Sequence, residues 1–253
     1  MPATLQALKR CVPYSAKVWL REKVLNHYGV PCSRFGLPGP LVTLLRGIPS
    51  ISLVDVGASK GDFTFTVCQF CNVRKALLVE IQPKRCEELR QRFPQDRFQV
   101  VCAAAGSQEE ERDVDLLAWD YSTSLLTLDR TEADSAFPND FSVIERIRTP
   151  VRRLDQLCRE CGFMGRIDLL KLDVQGAEGM VLEGARETLP RVRAVWTEVS
   201  FRPLYEGSIT FCGVYDLFRT AGFHLVALED GCRAVNGELL QADALFVRNC
   251  PND

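Results

Sequence analysis

Histidine is almost missing from this chain: among 253 residues only His27 and His224 carry an imidazole, and neither stands near the paired cysteines Cys68-x-x-Cys71 and Cys158-x-x-Cys161. Each pair falls in a segment of helical periodicity, where residues three apart simply share a face, so the spacing does not by itself make a zinc site. The eleven cysteines read as reduced, small buried hydrophobes, and a disulfide framework is not expected in a chain of this size without a secretory signal. Long apolar runs are missing as well. None approaches the roughly 20 residues of a membrane-spanning helix, and the N-terminus has polar breaks where a signal peptide would carry its apolar core. The expectation is a cytoplasmic protein. Finally, there is no excess of positive charge: 31 Lys and Arg against 33 Asp and Glu give a net charge of -2. That leaves no electrostatic footprint for nucleic acid, local pairs such as Arg152-Arg153 aside, and makes a small molecule or another protein the default partner.

What the chain does have is a 46% hydrophobic composition, enough for one large α/β domain, and a turn that brings backbone close to a ligand. The run Ile51 to Val56 has the length and composition of a buried parallel strand, and it passes into Gly57-Ala58-Ser59-Lys60-Gly61. Glycine at 57 and 61 removes the Cβ atoms that would block positive φ angles and the approach of a nucleotide-like group. A second apolar run, Ala76 to Val79, ends on Glu80, where a doubly wound sheet places an acid against ribose hydroxyls. Ser59 occupies the position where a dinucleotide fingerprint has its second glycine. Asp55, at the strand end, suits a ligand with cationic groups better than a pyrophosphate.

Strand and helix then alternate: helix Asp62 to Cys71, helix Pro83 to Phe93 with proline in its first turn, strand Phe98 to Cys102, helix Leu154 to Cys161. This rhythm argues for a parallel sheet with helices on both faces. Residues 106 to 149 lose it and read as a long irregular insertion, with 119 to 126 either a pocket wall or a solvated loop. A second block, Asp168-Leu169-Leu170-Lys171-Leu172-Asp173-Val174-Gln175-Gly176-Ala177-Glu178, delivers Asp173 to a strand end and opens a helix expected to run from Glu178 to Leu189. The null for Glu178 is charge pairing with the helix macrodipole. Strand Ala194 to Val199 brings Glu198 to the same rim, and helix Val214 to Ala221 with strands Phe223 to Leu228 and Ala244 to Val247 closes the chain. Ahead of the domain, residues 1–49 are expected to form a helical extension: two short amphipathic helices within Thr4 to Tyr28, broken at Pro13, and a loop from Pro31 to Pro40. The extension could cover a pocket, make a homodimer contact, or pack on the sheet edge.

Val54 to Ala58 with Gly61-Asp62-Phe63, the 168–178 block with Val181-Leu182-Glu183-Gly184-Ala185, and Glu198-Val199-Ser200-Phe201 with Leu204-Tyr205-Glu206-Gly207 resemble the FkbM family of S-adenosylmethionine-dependent methyltransferases. The resemblance covers about residues 50 to 230, and residues 50–253 are expected to form the methyltransferase domain. It implies a class I methyltransferase fold: a doubly wound, mostly parallel seven-stranded sheet with a C-terminal antiparallel hairpin. It also implies S-adenosylmethionine as methyl donor and, as acceptor, a hydroxyl of a sugar, glycan or secondary metabolite. The expected cofactor-binding set is Asp55, Gly57, Ala58, Gly61, Glu80 and Ala103. The expected catalytic acids are Asp173, then Glu178 and Glu198. Gln175 stands where the family more commonly has Glu, so with no third obvious ligand beside Asp173 and Glu178 no metal is expected. A nicotinamide-dependent oxidoreductase and a non-catalytic S-adenosylmethionine-binding protein remain as alternatives.

Overall fold

Continuously buried apolar strands set the architecture. The computed structural model describes residues 37–119, 122–136 and 140–249, with backbone alone at 135 and 136. Within them β1 (Ile51–Val56), β2 (Val73–Glu80), β3 (Phe98–Cys102), β7 (Ile167–Leu172), β8 (Val192–Ser200), β9 (Phe223–Asp230) and β10 (Gln241–Arg248) form one seven-stranded sheet in the order β3-β2-β1-β7-β8-β10-β9. β10 runs antiparallel to both β8 and β9, while the strands from β3 to β8 are parallel. The expected parallel sheet with its antiparallel C-terminal hairpin is present.

β1, β7 and the inner part of β2 are buried on both faces, so successive residues feed two cores. Val54, Val56, Leu170 and Leu172 pack on one side with α5 (Leu154–Glu160), α6 (Glu178–Glu183) and α7 (Phe211–Thr220). Ile51, Leu53, Leu78 and Leu169 pack on the other with α1 (Gly39–Arg46), α2 (Asp62–Cys68) and α3 (Pro83–Arg92). α1 starts inside the segment expected to be a loop, with Pro38 just ahead of its first turn and Leu41, Val42 and Leu45 turned into the core. The two helices expected within Thr4 to Tyr28 lie outside the described residues.

Two expectations are corrected. Residues 106 to 149 are not an irregular insertion: β5 (Glu110–Leu117) and β6 (Val143–Arg153) pair antiparallel, and β6 also pairs with β4 (Ala104–Gly106), giving a separate three-stranded sheet. These strands carry charge where buried strands carry valine and leucine. Cross-strand pairs such as Arg146 with Asp115 (2.6 Å) take the place of apolar contacts. The helix expected to reach Leu189 stops at Glu183. A Cβ at Gly184 would overlap the carbonyl oxygen of Gly106, so the chain turns there to pass against β4.

Backbone passes close to backbone at the end of β1. Gly57 has φ +77°, and a Cβ there would overlap the carbonyl oxygen of Asp173 at the end of β7. Gly162 has a similar φ of +72° and nothing within 4 Å. Gly162→Ala is therefore expected to cost about 1–2 kcal/mol, the left-handed penalty alone, and Gly57→Ala at least about 3 kcal/mol because a backbone overlap is added. Urea unfolding of the two variants measures the difference, and equal losses would contradict the close approach.

Candidate functional site

Parallel pairing sets Asp55 on β1 opposite Lys171 on β7, both pointing to the α2 face. Lys171 Nζ lies 3.4 Å from Asp55 Oδ1 and 3.2 Å from Asp173 Oδ2, and donates to the Gly57 carbonyl at 2.7 Å. Burial works against the ammonium, yet the two carboxylates outweigh it and raise the lysine above its ordinary pKa. Asp55 is wholly buried and also accepts from Thr64 Oγ1 at 2.6 Å. Its charge is engaged inside the fold, so the structure does not bring Asp55 to a ligand surface as the sequence had suggested. Gly61 is also elsewhere: its missing Cβ makes room for Phe93 and Leu89 of the neighbouring helix region.

Above this triad a cleft opens at the C-terminal ends of β1, β2, β3 and β7, lined among others by Gly57, Glu80, Ala103, Ala105, Leu125 and Asp173. Open α/β sheets bind ligands at such strand ends. Glu80 is 5% exposed and accepts the Ser59 N–H (2.7 Å) through one oxygen and the Gln82 N–H (2.9 Å) through the other. Burial raises its pKa, and those N–H groups oppose the rise. Ala58 sits buried behind the turn, its N–H on the Val79 carbonyl. Ser59 (φ +48°) and Gln175 (φ +55°), the two non-glycine positive-φ residues among those described, face the cleft from opposite walls. Thr123 and Ser124 join those walls: Gln82 Nε2 donates to Thr123 Oγ1 (3.2 Å), and Ser124 Oγ to the Val174 carbonyl (3.4 Å). Asp120 and Tyr121 of the same segment lie outside the described residues.

The three expected catalytic acids separate by position. The Asp173 side chain is 40% exposed in the cleft and accepts Gln175 Nε2 at 2.8 Å. Glu178 lies beneath the turn, where its Oε1 accepts the backbone N–H of Val174 (3.1 Å) and Gly176 (3.4 Å). Burial pushes its pKa up to about 7. Glu198 accepts from Gln241 Nε2 (2.7 Å) and Gln175 Nε2 (3.3 Å), and burial with the carboxylates of Asp173, Glu178 and Asp243 raises it well above the usual range. Neither Glu178 nor Glu198 lines the cleft. Asp243, paired in register with Glu198 across β8 and β10, is raised to about 6, chiefly by burial. Among the described residues no three His, Cys, Asp or Glu side chains are grouped to hold a metal, and the eight described cysteines are free.

Three residues given no role from sequence belong to this site: Lys171, Gln175 and Tyr205. A lysine inside the apolar run Leu169-Leu170-Lys171-Leu172 was itself a signal, since a buried cation needs partners. Gln175 had been read only as a departure from the family pattern. Tyr205, 4% exposed, donates to the Ser122 carbonyl (3.1 Å) with its oxygen 3.4 Å from Gln175 Oε1, a contact only folding creates.

A family model described as Methyltransferase FkbM domain matches residues 55–225. The chain is 29% identical over 224 residues to the 2-O-methyltransferase NoeI of Sinorhizobium fredii, covering 83% of this chain and 86% of that protein. Among solved structures it is similar to a methyltransferase FkbM from Methylobacillus flagellatus at 14% identity and a TM-score of 0.49, with 78% of this chain and 44% of that one covered. It is also similar to Aeropyrum pernix fibrillarin at 12% identity and a TM-score of 0.45, with 82% and 74% covered. The chain thus spans less than half the length of the M. flagellatus protein.

The raised pKa of Glu178 has a measurable sign. A carboxyl that titrates near 7 when folded and near its ordinary 4.5 when unfolded holds its proton more tightly in the native state. Its stabilising contribution is complete below about pH 4.5 and is lost as pH rises to about 7. Glu178→Gln, always neutral, removes that loss. Urea midpoints of the wild type should therefore fall relative to the variant between pH 4.5 and 7, and a constant difference would show that Glu178 is ionised throughout.

Proposed function

The chain belongs to the FkbM methyltransferase family, and from that premise we propose that it moves a methyl group from S-adenosylmethionine to a hydroxyl of a sugar, glycan or secondary metabolite. The observation that carries this reading is one cleft with two differently prepared carboxylates: Glu80 buried and braced by backbone N–H groups, Asp173 exposed and pinned by Lys171 and Gln175.

The residues fit the cofactor. Glu80 would hold ribose hydroxyls, and the alanines at 103 to 105 leave room for a flat base. When bound, S-adenosylmethionine supplies a methyl already activated on a sulfonium. The protein's work is then to orient the acceptor hydroxyl, exclude water and take up one proton. Asp173 has the geometry for the last task, with one oxygen toward Lys171 and the other toward Gln175. A carboxylate suffices for this, because a hydroxyl becomes strongly acidic as its oxygen gains the methyl carbon. Gln175 and Lys171 position that carboxylate, and Glu178 fixes the backbone carrying it. An O-methyl product agrees with the 2-O-methyltransferase relative. The free thiols among the described residues suit a reducing compartment, which supports a cytoplasmic location. The near-balanced charge favours small-molecule or glycan acceptors over nucleic acid. No helix among the described residues is long and apolar enough to cross a membrane.

Calorimetry should find S-adenosylmethionine and its demethylated product binding and NAD not, because Ser59 stands where a pyrophosphate needs glycine. Glu80→Ala should weaken that binding tenfold or more, given about 1.5–3 kcal/mol for a hydrogen bond to a charged group; an unchanged Kd in a folded variant would remove Glu80 from the cofactor site. For Asp173→Asn, turnover should drop by roughly 10², the scale of a positioned acid or base, while cofactor affinity moves much less. Full turnover with lost affinity would instead assign Asp173 to the cofactor.

A further inference from the structure

A second cleft, of about 340 Å³, lies between the β5–β6 hairpin and the segment 122–130. It shares Ser124 and Leu125 with the cofactor cleft, so the two are separated by one turn of chain. Its floor is firmly built: Leu128 and Tyr205 form a β-bridge, the Asp129 N–H donates to the Leu204 carbonyl (2.9 Å), and the Glu206 N–H to that of Thr127 (2.9 Å). Tyr205 also links this floor to the reacting end of the site. Its oxygen lies 3.4 Å from Gln175 Oε1, and the same amide donates to Asp173 at 2.8 Å.

The chemistry of the cleft selects among hydroxyl compounds. Donors and acceptors face it together: Asp113, Asp115 and Thr127, with the guanidinium groups of Arg130 and Arg146, and the rings of Phe141 and Tyr205. Arg146 is engaged by Asp115 through two contacts (2.6 and 3.1 Å). Arg130 is exposed and has no ion-pair partner among the described residues. A flat apolar acceptor would strip water from these groups without replacing its hydrogen bonds, which is costly. A ring bearing many hydroxyls replaces them.

Resting on the methyltransferase reading above, we propose that the hairpin cleft is the acceptor subsite, that it takes a saccharide, and that Arg130 and Tyr205 help to select it. The unit being methylated reaches Asp173 past Ser124 and Leu125, and the remaining rings lie under the hairpin.

Saturation-transfer NMR on the full chain, with S-adenosylhomocysteine present, tests this against di- to tetrasaccharides, neutral and uronic-acid-bearing, with catechol as the flat comparison. Saccharide signals are expected in the wild type. Thr127→Trp, a bulky change at an exposed position on the cleft wall, should abolish them. Arg130→Ala should weaken saccharide binding by roughly tenfold, the scale of one charged hydrogen bond. Both variants should keep S-adenosylhomocysteine affinity within about twofold, since neither side chain touches the cofactor cleft. Saccharides that fail to bind the cofactor-loaded wild type, or that bind both variants unchanged, would overturn the subsite and leave the cofactor reading standing. Preferred binding of catechol, unaffected by Thr127→Trp, would also overturn it. Failure of the wild type to bind S-adenosylhomocysteine would strike the methyltransferase reading itself, and the subsite with it.

Discussion

A lysine ammonium fixed between two carboxylates at the centre of a parallel sheet is the interaction on which the site depends. Lys171 sits on a strand whose every position is buried, where an unpaired cation could not be tolerated. Asp55, Asp173 and the Gly57 carbonyl compensate it, and together they tie the ends of β1 and β7 at one point. Removing one member of such a set commonly costs about 3–5 kcal/mol, because the others stay buried and uncompensated. The same arrangement explains a division of labour. Asp55, facing inward, is engaged wholly inside the fold, while Asp173, held by Lys171 and Gln175, stays 40% exposed to the cleft. A single cation thus bridges two similar strand-end acids, one wholly buried and one open to the cleft.

Around that point the backbone is held in conformations that ordinary residues avoid. Ser59 on one wall and Gln175 on the other both have positive φ, each where the chain turns from a strand toward a helix. Such strain persists only when surrounding contacts over-determine it. Here Glu80 holds Ser59 by its N–H, while the Gln175 side chain reaches Asp173, Glu198 and Tyr205. The two walls are preset, so little rearrangement is needed for a ligand to enter.

The sheet was legible in the sequence because buried parallel strands are apolar runs. β1 and β3 coincide with the expected spans, and Glu80 stands at the end of its strand, as the apolar run before it implied. What escaped detection was structure stabilised by charge or by contact at a distance. The β5–β6 hairpin alternates acids and arginines that only make sense once paired across strands. α6 ends where Gly184, lacking a Cβ, lets the chain pass against the carbonyl of Gly106, 78 positions earlier, a contact no local pattern contains. For the same reason Asp55 and Gly61 looked like ligand contacts. Their local motif is right for a ligand turn, but the partners that claim them, Lys171 and the Phe93 ring, come from other segments.

The acids behind Asp173 also alter what the folded molecule presents to an electric field. Glu178 and Glu198, with Asp243, are all displaced toward retaining their protons in mildly acidic solution. A sequence isoelectric point near 5.9 assumes every carboxyl titrates as in a free peptide. The native protein holds protons in that range which the unfolded chain has released, so its isoelectric point lies higher, and unfolding at that pH drives it toward the anode.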